Sequence, residues 1–246
     1  MQNVKRYPLG RYKSDWDGRD WNAENFIPLG ALKAEEVITE KHWDYYGDSL
    51  DQGETPHCTG FGDATYLINE PTYTPSTDED GHRFYYMNKE FDGEPGKENG
   101  SCVRSAAKTL QAVGRISNYA FAPNFELIKW WLLHRGPVCV GTVWYMGMFT
   151  PDEDNIIYPT GTVEGGHFYV LNGIDPEYVY GQNSWGPGWG DNGAFRMRIS
   201  DFISIFQLGG EASVAVELEN STTIKKLNVI ELIINWIISL LKGELK

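Results

Sequence analysis

The chain has 246 residues, 41% of them hydrophobic and 14% aromatic, enough core material for one large domain or two small lobes around a shared core. Its net charge of −13 excludes the basic surface that nonspecific nucleic-acid binding needs, so no nucleic-acid partner is expected. Three cysteines, Cys58, Cys102 and Cys139, cannot pair without a remainder, and no CxxC pair or HExxH helix accompanies them, so neither a metal nor a cofactor is expected.

The N-terminus carries no apolar run of the secretory kind, and with this cysteine usage the expected location is a reducing, cytoplasmic compartment. Residues 1–43 mix proline, glycine and charge without a period and read as an arm laid over the surface, with a short helix at 31–38. The run DQGETPHCTGF at 51–61 is turn-prone up to Cys58, and helical character begins there and extends to about residue 69. A thiol at a helix N-terminus meets unpaired N–H groups and the positive end of the dipole, which favour thiolate. Gln52 supplies an amide that can point back over it. Taken alone, the stretch fits either a nucleophile with a ready oxyanion site or one more buried cysteine. Gly60 and Gly62 each cost that helix about 1 kcal/mol relative to alanine, which suggests another backbone packed close to it, as between two lobes.

Residues 70–100, rich in Pro, Gly, Asp and Glu, read as mostly loop with a short apolar segment at 84–87. Apolar positions 103, 106, 107, 110 and 113 predict an amphipathic helix stopped by Gly114, and a second helix at 124–133 starts at an Asn cap. After Pro137 the pattern turns to strands at 138–144, 167–171, 178–180, 194–199 and 212–216, with turn signals at Asn172-Gly173, 191–193 and 209–210. A helical front half and an antiparallel-sheet back half predict an α+β protein. The expected organisation is an arm at 1–43, a helical lobe at 44–123, a mainly β lobe at 124–219 and an apolar tail at 220–246. Within the tail, residues 227–241 would form an apolar helix with one narrow polar stripe, about 22 Å long and short of the ~30 Å hydrocarbon core. Docking on its own body or on another copy is the plain expectation for that helix. A membrane-surface or larger-assembly role is the alternative.

A cysteine nucleophile needs a base, and histidine is the usual one. Of five histidines, His57 adjoins Cys58 but would point away from it, while His42, His82 and His134 read as surface residues. His167 follows Gly165-Gly166 at the mouth of an apolar strand, sheltered but not fully buried, with glycines that leave room for a substrate backbone. The block YGQNSWGPGWGDNG at 180–193 offers Asn183 to hold a histidine ring N–H and Trp185 to cover that bond, though alone it also fits a structural glycine-rich turn.

Together these pieces resemble the papain-like (C1) cysteine peptidase family: Gln52-Gly six residues before Cys58, Gly166-His167 heading a strand, the long Asn183–Gly193 block and the closing strand at 212–216, in that order. The resemblance covers roughly residues 44–219. It implies a two-lobe fold, with a helical left lobe, an antiparallel β-barrel-like right lobe and the active-site cleft between them. It implies Cys58 as nucleophile, His167 as its base, Asn183 as the orienting residue, and Gln52 with the Cys58 N–H as oxyanion hole. Trp185 would be the shield and, with Gly100, Ser101 and Gly166, would meet the substrate.

Three departures stand out. His57 and Thr59 flank the thiol where the eukaryotic members carry a small residue and Trp, and Thr55 takes the place of a half-cystine of the secreted members. No inhibitory pro-segment is expected in the 51 residues before Gln52, which favours the bacterial and phage branch. The implied function is a cysteine endopeptidase acting on polypeptide substrates through an acyl-enzyme. A papain-fold assembly or docking module, virion- or membrane-associated, or an acyl-transfer enzyme using the same site, are the alternatives.

Overall fold

The computed structural model describes residues 6–33 and 37–216, so the expectations for the apolar tail at 227–241 lie outside the described residues. The front half supplies three helices, α1 (Cys58–Ile68), α2 (Asp78–Phe91) and α3 (Val103–Ala112), and α4 (Phe125–His134) follows. Their caps agree with their sequence. Asn124 accepts from the Leu127 N–H at the start of α4. Gly114, at φ +68°, ends α3 with its N–H on the Gln111 carbonyl.

Strands β1 (Lys41–His42), β2 (Asn118–Phe121), β3 (Val138–Tyr145), β4 (Val163–Ile174), β5 (Tyr178–Gln182), β6 (Ala194–Arg198) and β7 (Glu211–Val216) form one antiparallel sheet, with α5 (Ile199–Phe206) between β6 and β7. The sheet is open. Its path runs β2-β7-β3-β4-β5-β6, and β1 pairs with β4 off that path. Mixed helices and an antiparallel sheet make this an α+β fold.

Two apolar cores flank β4. Phe168 and Val170 join Phe61, Ala64 and Leu67 of α1 and Val103 and Ala106 of α3. Tyr169 and Leu171, on the opposite strand parity, join Trp131 and Leu132 of α4, Trp144, Trp185 and Phe202. All eleven residues of α1 are buried between its neighbours. The two glycines are what allows this. A Cβ at Gly60 would lie 2.2 Å from the Tyr85 N of α2, and one at Gly62 would lie 2.1 Å from the Phe168 ring on β4.

Several elements differ from the sequence expectation. Residues 78–91, read as loop, form a four-turn helix. Thr77 and Asp80 close a capping box, and three acids fill its first turn. Its buried positions Gly81, Phe84, Tyr85, Asn88 and Lys89 keep helical spacing, but their glycine, amide and cation masked the apolar stripe. The Asn172-Gly173 pair is not a turn. β4 runs through it with a bulge after Leu171, and the reversal comes at Asp175, whose carboxylate takes the N–H groups of Glu177 and Tyr178. Helix α5 and strand β2 went unread because both are short.

Candidate active site

Cys58 is the first residue of α1, where N–H groups have no helical partner. Gln52 is held by a short ladder between residues 50–52 and 184–186. Gln52 N–H donates to the Ser184 carbonyl at 2.9 Å, and Gly186 N–H donates to the Leu50 carbonyl at 3.0 Å. The Ser184 hydroxyl donates to Gln52 Oε1 at 2.9 Å, leaving Nε2 to face outward.

His167 is the fifth residue of β4 rather than its start, paired in register with Thr142 of β3. Its Nε2 donates to Asn183 Oδ1 at 2.8 Å, and the same oxygen accepts the Ser184 N–H at 2.8 Å. Trp185 lies over this bond at 4.7 Å from the His167 ring, and Trp144 meets the same ring edge-on at 4.7 Å. The ring is fully buried, not merely sheltered, because indoles close on it from two sides and the N-terminal arm covers the groove beside it. With Nε2–H committed to Asn183, a neutral ring keeps its lone pair at Nδ1, which has no hydrogen-bond partner.

The arm does not lie on the outer surface; residues 7–14 thread the groove between the sheet and α1–α3. Tyr7 stacks on Trp185 at 4.4 Å with the rings 4° from parallel. The Pro8 carbonyl takes Gln52 Nε2 at 3.1 Å, and Nε2 also donates to the Thr55 carbonyl at 2.7 Å. The Gly10 carbonyl takes the Ser101 N–H at 2.7 Å, and the Ser101 carbonyl takes the Tyr12 N–H at 3.0 Å. Arg11 N–H donates to the Gly166 carbonyl at 2.9 Å. Gly10 is obligatory in this path, since a Cβ there would lie 1.9 Å from the Pro56 carbonyl oxygen. Each residue that the sequence assigned to substrate backbone contact is therefore in contact with the chain's own arm: Ser101, Gly166 and Trp185 directly, and Gly100 at φ +84° with its open α-carbon against the Gly10 carbonyl.

Closure of the groove sets the electrostatics. Burial pushes the Cys58 thiol up to about 11, with the N–H groups of Phe168, Gly10 and Thr59 pulling against it. Burial holds His167 down at about 4, with the Asn183 bond pulling against it. Under the arm both groups are neutral, and desolvation is the cause in each case.

Helix α2 braces the Gly100–Ser101 loop. Tyr85 Oη accepts the Gly100 N–H at 3.1 Å, and the fully buried Lys89 Nζ donates to the Gly100 carbonyl at 2.9 Å while pairing with Asp92 and Glu94. His57 does not narrow the groove. It is buried beneath α1, stacked on Tyr85 at 3.7 Å, and bonded to Glu98 and to His82 Nδ1. His82 is thereby half-buried and paired, not a free surface histidine. Sequence reading missed Ser184, Trp144, Tyr7 and Lys89. Only Ser184, inside the Asn-Ser-Trp block, lay next to a residue already singled out.

Comparison with known proteins identifies the family and the fold. A model of the papain family cysteine proteases matches residues 62–213, more than half of the chain, in a segment that begins after Gln52 and Cys58. Cathepsin Z of Onchocerca volvulus is 28% identical over 120 residues, 42% of this chain and 36% of that protein, so the match spans about a third of the relative's length. Xylellain, a cysteine protease from Xylella fastidiosa, has the same fold with a TM-score of 0.67 over 89% of this chain and 99% of its own, at 18% identity. A structure from work on the mite allergens Blo t 1 and Der p 1 matches with a TM-score of 0.53 over 78% of this chain and 74% of its own, at 14% identity. At these identities the two structures speak for the fold alone.

Proposed function

Since the chain belongs to the papain family of cysteine proteases, hydrolases that act on peptide bonds, we propose that it is a cysteine endopeptidase whose groove is held shut by its own N-terminal arm. The observation that carries this reading is the His167–Asn183 bond beneath Trp185, which leaves the ring's Nδ1 without a hydrogen-bond partner. In the mechanism, displacing the arm rehydrates both groups, so that proton transfer from the Cys58 thiol to His167 Nδ1 no longer carries the full desolvation cost. The thiolate attacks the substrate carbonyl carbon, and its oxygen takes the charge between Gln52 Nε2 and the Cys58 N–H. That position is now held by the Pro8 carbonyl on Nε2. His167 protonates the leaving amine, and water, deprotonated by the same ring, then releases the acyl group from Cys58. Asn183 keeps the ring in one tautomer throughout.

The roles of Cys58, His167, Asn183 and Gln52, and of the Gly100, Ser101, Gly166 and Trp185 contacts, are part of this proposal, as is a polypeptide as substrate. Among the described residues no helix is long and apolar enough to cross a membrane. The test uses the full chain. Gly10→Val puts methyl groups where even a Cβ meets Pro56, so the arm is forced out and hydrolysis of an unfolded protein substrate rises at least tenfold over the parent. Adding Cys58→Ala to that variant abolishes it. Unchanged hydrolysis in the Cys58→Ala chain sinks the assignment.

A further inference from the structure

A lysine in the interior must have its charge met, and Lys89, in the last turn of α2, has it met mainly by the loop that follows its own helix. Its Nζ lies 3.1 Å from Asp92 Oδ2 and donates to Glu94 Oε2 at 2.9 Å and to the Gly100 carbonyl at 2.9 Å. The Tyr12 hydroxyl of the arm is a more distant partner at 3.5 Å. None of the three close contacts involves the arm. Asp92, 3% exposed, also accepts from the Ser105 hydroxyl at 2.6 Å, which fixes the cluster to the first turn of α3.

The Gly100 carbonyl is one end of a peptide unit whose other end is the Ser101 N–H. A trans peptide holds these two groups antiparallel, so a cation on the oxygen polarises the unit and makes its N–H a stronger donor. Tyr85 Oη accepts the Gly100 N–H at 3.1 Å and keeps the preceding unit from turning. The Ser101 N–H points into the groove, where the Gly10 carbonyl takes it at 2.7 Å. The neighbouring bonds of the arm, from the Arg11 and Tyr12 N–H groups, measure 2.9 Å and 3.0 Å. A 2.7 Å N–H···O contact falls in the range of charge-assisted bonds, although neither peptide group carries a charge. The charge is one peptide unit away, on Lys89.

Resting on the peptidase reading, we infer that Lys89 is a positioning residue: through the Gly100–Ser101 peptide it makes the Ser101 N–H a charge-assisted donor for a substrate backbone carbonyl. The Gly10 carbonyl of the arm is its present acceptor. The bond lies away from the reacting carbon and is made alike in the bound substrate and in the transition state, so it sets KM and leaves kcat alone. Glu94 tunes it in the other direction. Its side chain, 32% exposed, takes up part of the Lys89 charge, and neutralising it leaves more of that charge on the Gly100 carbonyl.

The experiment uses the full-length Gly10→Val chain and a peptide amide that it cleaves. In matched analogues each backbone carbonyl except the scissile one is replaced in turn by a thiocarbonyl, a weaker acceptor. Lys89→Met is expected to raise KM about fivefold, the difference between a charge-assisted and a neutral hydrogen bond, with kcat changing less than about twofold. One thiocarbonyl should raise KM in the Gly10→Val chain and lose that effect when Lys89→Met is added. Glu94→Gln should lower KM about twofold, which a purely structural lysine would not allow. If Lys89→Met alone does not fold, Lys89→Met/Asp92→Asn takes its place, since it leaves no unpaired carboxylate in the interior. A loss that falls on kcat, a thiocarbonyl effect that the lysine variant leaves untouched, or a Glu94→Gln chain that binds no tighter overturns the inference and leaves the peptidase reading standing. If the Gly10→Val chain cleaves no peptide, the peptidase reading falls, and the same polarised bond is read on the arm of the closed chain by NMR. There the Ser101 amide proton should move upfield on Lys89→Met while that of Arg11, bonded across the groove to Gly166, stays in place. Both moving together, or neither moving, overturns the inference.

Discussion

Ser184 is the residue whose function depends most on the neighbours it joins. Its backbone N–H donates to Asn183 Oδ1 and its hydroxyl to Gln52 Oε1, so one residue ties the Asn183 amide to the Gln52 amide. Without that hydroxyl, Gln52 keeps its backbone ladder and the Nε2 bond to the Thr55 carbonyl, but Oε1 loses the partner that fixes it. In the Gly10→Val chain, Ser184→Ala is expected to lower kcat about tenfold, the worth of one hydrogen bond in the transition state. Gln52→Ala should cost on the order of 10²–10³. Because the serine acts through the glutamine, the double variant should be no slower than Gln52→Ala alone, with KM little changed. Additive losses would show that Ser184 acts some other way. At this scale the His167–Asn183 bond and its Trp185 cover were legible. Cys58, His167, Asn183, Gln52 and Trp185 sit in contiguous motifs whose residue types state their chemistry. Ser184 and Trp144 did not stand out, because their partners come from a ladder and a strand pairing that no local pattern reveals. His57 points away from Cys58 as expected, but what it faces was hidden for the same reason, since α2 decides it.

Helix α2 marks where sequence reasoning failed at the scale of elements. Its proline-, glycine- and acid-rich surroundings read as loop, although Thr77 and Asp80 spell a cap, and its buried face includes Lys89 and Asn88. Pattern rules count apolar residues and cannot see a lysine whose charge is met by Asp92, Glu94 and a carbonyl. Gly60 of α1, by contrast, was read correctly as the mark of a close backbone approach, that of α2, whereas Gly62 makes room for the Phe168 ring of β4. This gives a test in which two principles oppose each other. By helix propensity Gly60→Ala should stabilise by about 1 kcal/mol. Yet the added methyl would sit 2.2 Å from Tyr85 N and 2.3 Å from the Gly81 carbonyl oxygen, backbone atoms that cannot swing aside. Overpacking of this kind costs about 1–3 kcal/mol before the propensity gain is counted. The expected outcome is net destabilisation in urea unfolding, and stabilisation would mean that α1 and α2 are not locked together.

For the whole molecule, the buried ionisable groups matter more than the surface charge. Two of them oppose each other as pH changes. His167 is held at about 4 by burial, below its ordinary value of 6.5. Between those limits the unfolded chain binds a proton that the folded one refuses, so this contribution is present above pH 6.5 and lost as pH falls towards 4. Asp63, fully buried in α1 with neither oxygen hydrogen-bonded, is raised well above 3.8 by burial, the Asn88 amide pulling the other way. The folded chain keeps that proton after the unfolded one has lost it, so its contribution is present below pH 3.8 and lost as pH rises towards the raised value. As pH rises from about 4 towards 6.5, the His167 contribution grows while the Asp63 contribution is being lost, so the two slopes have opposite signs. The parent therefore hides both, and single variants expose them. His167→Gln should leave a stability that falls as pH rises through the window, and Asp63→Asn one that rises with pH. Every other titrating group is common to the two variants, so their urea-derived slopes should diverge, with opposite signs, at constant salt. Parallel slopes would mean that the His167 ring is hydrated in the closed state or that Asp63 is ionised within α1. Either result would undo the account of a groove kept dry and neutral by the arm that fills it.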